Sequence, residues 1–124
     1  MTQTTATAQA RLTIATGPSG RAMAETMTQE MVDQLQAHLN MERQSSAAYF
    51  AAAIWFAERE LTGFAEYLRN EGKQEQEHAA KFADYLISRG QTVELDTIEA
   101  PRQTWPDPEA VSYTHLTLPT TPYV

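Results

Sequence analysis

Two stretches of this chain carry apolar residues at steps of three and four, the repeat of one face of a helix. The first runs through Met31, Leu35, His38/Leu39, Ser46, Tyr49, Ala53 and Phe56, and is interrupted by Glu42. The second runs through Phe64, Tyr67/Leu68, His78, Phe82 and Tyr85/Leu86, and is interrupted by Glu71 and Glu75. Thr28 stands ahead of the first stripe as an N-cap, with Glu30 in the first turn where the helix dipole favours an acid. The spacing predicts one helix over about 28–60, a break at Leu61-Thr62-Gly63, and a second helix over about 62–89. Thr62 is expected to cap that second helix, and Gly90 to occupy its C′ position. Helices this long joined by so short a turn must be antiparallel neighbours, so the fold class is all-α. Residues 91–106 are too many for a hairpin turn and are predicted to cross over along the length of a bundle. Asp107-Pro108-Glu109 then has the form of a new helix start, with Asp as N-cap, Pro at N1 and Glu at N2.

The acids inside the stripes carry the chemistry. Burying one unpaired ion costs several kcal/mol or more, and no Lys or Arg lies on either stripe between Met31 and Leu86 to offset it. A metal ion is the simplest partner. Residues three apart on a helix are neighbours, so Glu75-x-x-His78 presents a carboxylate and an imidazole together, and Glu42 lies at similar depth on the first helix. A bare E-x-x-H is a weak motif; its place on a stripe, matched by Glu42 across the hairpin, makes the combination a stronger signal than the motif alone.

Neighbouring residues have plainer explanations beside the functional ones. Tyr49, two turns after Glu42, is either a core tyrosine or a hydrogen-bonding or electron-donating group beside the metal. Glu71 is either an auxiliary acid or an acid reaching solvent at the bundle edge, and His38 reads as a boundary histidine rather than a ligand. Trp55, Phe56 and Phe64 are expected in the core near the turn, while Glu58-Arg59-Glu60 and Lys73 are expected on solvated faces.

Composition narrows the field further. With 124 residues there is one small domain at most, and 42% hydrophobic with 20% charged residues is ordinary for a globular chain. A net charge of −7 argues against nucleic acid or an anionic membrane as partner and fits attraction of cations. The absence of cysteine excludes a disulfide framework, a thiolate zinc site and an iron–sulfur cluster. No apolar run is long enough to span a bilayer.

The ends differ from the middle. Residues 1–27 read as a flexible extension, with an acid-free, Thr-rich start that fits a disordered bacterial lead better than a plastid transit peptide. A cytoplasmic location is expected. Residues 111–124 contain no charged side chain and match the translation of a transposase-type sequencing adapter over their first ten positions, so a non-native tail is expected there. His115 lies in that tail and carries no weight. The domain proper is expected at 28–110.

Several segments resemble the first half, helices A and B, of a non-haem bacterial-type ferritin. They are Ala57-Glu58-Arg59-Glu60-Leu61-Thr62-Gly63-Phe64, Glu75-Gln76-Glu77-His78-Ala79 and Ile98-Glu99-Ala100-Pro101. Gly17-Pro18-Ser19-Gly20-Arg21-Ala22 is similar to the N-terminal lead of cyanobacterial ferritins. The resemblance implies half of a ferritin-like four-helix bundle; a Glu joined by Glu-x-x-His from paired helices is the known ligand pattern of such di-iron proteins, matched here rather than derived. It further implies that Glu42, Glu75 and His78 are ferroxidase iron ligands, Glu75 bridging two irons, with Tyr49 the catalytic tyrosine nearby. The implied activity is iron storage and detoxification, Fe(II) being oxidised to Fe(III) by dioxygen or peroxide at a di-iron centre. Self-association into a 24-mer shell is implied for the parent protein.

The departures are specific. The family's remaining iron ligands come from helices C and D, which this chain lacks, so an N-terminal fragment is expected. Gln76 follows Glu75 where bacterioferritins carry a haem-ligating Met, so no haem is expected. The intersubunit ligand set of mini-ferritins is absent, as is the cysteine-bound iron of rubrerythrins. Two alternatives stay open: a two-helix protein, similar to the encapsulated class, completing a di-iron site at a homodimer interface, and an inert fragment.

Overall fold

Thr28 Oγ1 accepts the Met31 amide at 3.2 Å and opens the first helix, α1, at Gln29–Glu58. A second helix, α2, spans Thr62–Ser88 and runs antiparallel to it, as the stripes predict. This computed structural model describes residues 14–15 and 27–111; the rest of the expected N-terminal extension, with Gly17–Ala22, and of the expected non-native tail, with His115, lies outside the described residues. Ahead of α1, β1 (Ile14–Ala15) pairs antiparallel with β2 (Met27–Thr28), in the register Ile14↔Thr28 and Ala15↔Met27. Two-residue strands are too short to show an alternating pattern, and none was expected there. Residues 108–111 are helical, opened by Asp107 Oδ1, which accepts the Ala110 amide at 2.8 Å.

The turn between the helices sits earlier than expected. Arg59 is the C-cap of α1, and the amides of Glu60 and Leu61 return to the carbonyls of Ala57 and Phe56 at 3.0 Å each. That is a Schellman closure, and it sets Glu60 at a φ of 61°, a conformation glycine usually supplies. The same closure ends α2, where Gly90 has a φ of 77° and Gln91 bonds back to Leu86 at 2.9 Å. Thr62 therefore does not cap α2; Leu61 holds the cap position without a side-chain bond, because the closure of α1 already fixes the chain's direction there.

Small residues line the seam between the helices. Ala52, Ala53, Ala65 and Ala79 are buried, and so is Gly72. A Cβ at Gly72 would lie 3.3 Å from Tyr49 Cβ and 3.4 Å from the Ser46 carbonyl oxygen, while Ser46 Oγ donates to the Gly72 carbonyl at 2.9 Å. This close approach rotates the larger side chains outward. Met31, Phe64 and Tyr67, assigned to the stripes by spacing, are exposed, and Val32 replaces Met31 in the interior. Phe64 instead stacks on buried Phe56 from outside, 5.2 Å between centroids. Two apolar clusters result, one near the turn around Tyr49, Phe56, Leu68 and Trp105, the other around Met27, Val32, Leu39 and Leu86. Val111, the first residue of the expected tail, is fully buried in the first of them.

After α2 the chain runs back along α1 as an extended crossover, held by a ladder of side-chain amides. Gln36 donates to the Thr92 carbonyl at 2.8 Å and accepts the Glu94 amide at 3.0 Å. Asn40 donates to the Glu94 carbonyl at 3.0 Å and accepts the Asp96 amide at 2.9 Å. Gln44 does both with Glu99, at 2.8 and 2.9 Å. Amides four residues apart stack along one helix face, so each rung offers the donor and acceptor that a neighbouring strand would. The crossover ends with Trp105 packed edge-on against Trp55, 5.9 Å between centroids.

Two substitutions test these devices. Asn40→Leu removes the middle rung and leaves the Glu94 and Asp96 backbone groups unpaired, so it should cost about 1–3 kcal/mol in urea unfolding and speed amide exchange at Asp96. Glu60→Gly relieves the positive-φ position and should stabilise the chain by about 1 kcal/mol in the same assay.

Candidate metal centre

Glu42 from α1 and Glu75 with His78 from α2 meet in the seam between the two apolar clusters. One donor atom from each lies within 4.8 Å of the others. His78 Nδ1 is 3.0 Å from Glu75 Oε1 and 3.7 Å from Glu42 Oε1, so the imidazole turns that nitrogen toward both carboxylates. Glu42 is 1% exposed and Glu75 7%, whereas His78 is only half-buried. The group is therefore closed on the α1 side and open beside the histidine. Gly72 and Ser46 bring the helices together one turn from Glu75 and Glu42, the contact that lets short carboxylate arms converge.

The electrostatics of the group would favour a cation. Burial, then a hydrogen bond to Glu42 and the charges of Glu42 and Glu71, push the Glu75 carboxyl up to about 8. Without a cation, two buried acids in contact share a proton. No Lys or Arg lies in the group. Two anionic oxygens and one imidazole nitrogen form a three-point donor set for a divalent transition metal, with coordination positions left for further ligands.

The flanking residues take distinct places. Tyr49 is buried against Gly72, and its phenol is raised above the ordinary value by burial first and by Glu71, Glu75, Tyr67 and Glu42 after it. Glu71 is half-buried one turn before Glu75 and is not part of the three-residue group. His38 stacks on Phe82 at 5.8 Å, outside the group. Spacing alone brought Glu42, Glu75 and His78 to one place but missed Gly72; a glycine in the middle of a long helical stripe was the available signal.

The raised Glu75 value has a sign that can be checked. Between about 4.5 and 8 the folded state holds a proton that the unfolded chain releases, so this group's contribution to stability falls as pH rises through that window. Wild type should lose stability relative to Glu75→Gln between pH 5 and 8 in urea titrations without metal, since glutamine does not titrate. Zn(II) should raise the wild-type melting temperature more at pH 8 than at pH 6, because the metal requires the deprotonated acids.

Comparison with known proteins agrees with this architecture. The profile of the ferritin-like domain family matches residues 32–116. A bacterial non-heme ferritin of Staphylococcus epidermidis is 33% identical over 76 residues, covering 61% of this chain and 46% of that protein. The bacterial non-heme ferritin of Escherichia coli O157:H7 is 31% identical over 72 residues, covering 58% and 44%. Among solved structures, the open pore ferritin of Archaeoglobus fulgidus superposes with a TM-score of 0.66 at 32% identity, over 72% of this chain and 56% of that one. The chain spans about half the length of the curated relatives it matches.

Proposed function

This chain belongs to the ferritin-like domain family, and from that premise we propose that it is part of an iron-storage protein whose Glu42, Glu75 and His78 take Fe(II) as substrate for oxidation. The observation that carries the reading is the convergence of those three donors within 4.8 Å, on helices otherwise packed through small apolar residues. The relatives named above are ferritins, and the donor chemistry suits iron in both oxidation states. Carboxylate oxygens favour Fe(III), and imidazole suits Fe(II).

Each residue has a defined task in this reading. Glu42 and Glu75 supply negative charge in a site from which the flanking clusters exclude water, so Fe(II) binding displaces the proton that Glu75 holds. His78 fixes the position of the first iron from the open side through Nδ1. Glu75 is the acid placed to serve a second iron. Tyr49, buried and surrounded by acids, stays a neutral phenol and is the nearby donor of a hydrogen bond or an electron. Each Fe(II) gives up one electron to dioxygen or peroxide and leaves as Fe(III).

The remaining ligands of a two-iron centre come from outside α1 and α2, supplied by the further length that the relatives have. In this reading the protein self-associates, with a 24-mer shell proposed for the parent. A second reading, in which two copies of the hairpin complete one centre between them, is favoured by the apolar residues of the α2 stripe that stay exposed, Phe64, Tyr67 and Tyr85.

Fe(II) oxidation followed by ferric absorbance tests the reading. The purified chain should speed oxidation over buffer, and Glu75→Ala and Glu42→Ala should each lower the stimulated rate about 10-fold or more. Zn(II) binding by calorimetry should weaken in parallel. An unstimulated rate together with unchanged Zn(II) binding in the variants would mark the site as inert.

A further inference from the structure

Reducing peroxide to water takes two electrons, and one Fe(II) gives one. Glu42, Glu75 and His78 form a single three-point donor set, so an ion held there alone leaves the reaction one electron short. Tyr49 is the phenol placed to supply it. Tyr49 is buried, however, and a radical on its ring has no direct contact with a reductant in solvent. The side chains between Tyr49 and solvent decide whether that oxidation can be reversed.

α2 provides the outward route. A Cβ at Gly72 would lie 3.3 Å from Tyr49 Cβ, so Tyr49 meets α2 at the level of Glu71 and Gly72. Tyr67, Glu71 and Glu75 follow at intervals of four and form one ridge of α2, beside the Leu68–Gly72 row on which Tyr49 packs. One end of that ridge is the metal centre and the other is Tyr67, 60% exposed, with half-buried Glu71 between them. After burial, the charges that raise the Tyr49 phenol are those of Glu71, Glu75, Tyr67 and Glu42, in that order. Glu71 and Tyr67 therefore belong to the electrostatic surroundings of Tyr49, in keeping with the packing at Gly72.

We propose that Tyr67 is a redox relay between buried Tyr49 and Fe(II) in solvent, with Glu71 holding the Tyr49 proton while the ring is oxidised. Hydrogen peroxide takes one electron from the bound Fe(II) and one from Tyr49; its O–O bond breaks, and two protons complete two waters. The phenol proton of Tyr49 passes to the Glu71 carboxylate. An electron then moves from Tyr67 to the Tyr49 radical, Glu71 returns the proton to Tyr49, and exposed Tyr67 releases its own proton to water. A second Fe(II), in solvent, reduces the Tyr67 radical, which takes a proton back from water. The sum is one H2O2, two Fe(II) and two protons giving two waters and two Fe(III). The inference rests on the proposed Fe(II) oxidation and adds to it the path by which an ion outside the centre contributes an electron.

The full chain, given one equivalent of Fe(II) and then H2O2 without dioxygen, provides the test. Freeze-quench electron paramagnetic resonance should show a tyrosyl radical, and a nitroso spin trap followed by peptide mapping should place the adduct on Tyr67. A second equivalent of Fe(II) should remove the signal. Tyr67→Phe should hold the radical on Tyr49 and prolong its life, whereas Tyr67→Trp should restore an adduct at position 67. Glu71→Gln, which cannot accept the proton, should lose most of the adduct there, and Tyr49→Phe should lose all of it. Zn(II) binding and helix content by circular dichroism should stay at wild-type levels in Tyr67→Phe, which separates a relay from a structural role. An adduct on Tyr67 that survives Tyr49→Phe, or a Tyr49 radical whose decay ignores Tyr67→Phe, overturns the relay. A wild-type adduct yield in Glu71→Gln overturns the proton role of Glu71. Stimulated Fe(II) oxidation with no tyrosyl radical overturns the relay and keeps the proposed function; the absence of both overturns both. Should Tyr49→Phe or Glu71→Gln fail to fold, the position of the wild-type adduct and the two Tyr67 variants decide.

Discussion

Two carboxylates pressed together in a nearly dry seam between antiparallel helices are the constraint around which this molecule is organised. Their repulsion and lost hydration oppose the fold, and no lysine or arginine is present in the group to offset them. The surroundings hold them together all the same. Gly72 and Ser46 bring the helix backbones close, and apolar clusters close the seam above and below. What remains is a donor set whose Glu75 carboxyl is raised to about 8 and whose proton a bound metal ion would displace. The stability given up at this point is the basis of the affinity proposed for iron, since binding relieves the repulsion that folding imposes.

Polar side chains do the comparable structural work on the outside of α1. Gln36, Asn40 and Gln44 treat the crossover as a strand, each giving and accepting a hydrogen bond. That ladder delivers Trp105 to Trp55 and aligns the following helix start at Asp107. The helix pair thus has two unlike sides. One presents the acids and the imidazole, and the other presents Arg43, Arg69 and Lys73 around Phe50 and Ile98.

Local signals with a fixed geometry were readable from residue order. Thr28, Asp107 and Gly90 stand where side-chain oxygen or a positive φ must be supplied, and each does so in the structure. Thr62 misled because Glu60 accepts the left-handed conformation and moves the turn two residues earlier. Met31, Phe64 and Tyr67 misled for a different reason: helical spacing gives the direction of a stripe but not its width. When small residues let two helices approach, the buried strip narrows, and large side chains at its margins are turned out. The ladder amides went unread because glutamine and asparagine at four-residue spacing look like an ordinary solvated face until a chain is laid against them.

Residue order by itself determined that two long helices pair antiparallel and that Glu42, Glu75 and His78 fall on their facing sides. Those outcomes follow from the helical repeat and from the brevity of the turn, both local properties. Only the tertiary structure decided how close the helices come, that the Glu75 carboxyl is held well above its ordinary value, and which side chains of α1 hold the crossover. Each of these depends on distances between segments remote in sequence, and no local propensity specifies a distance of that kind.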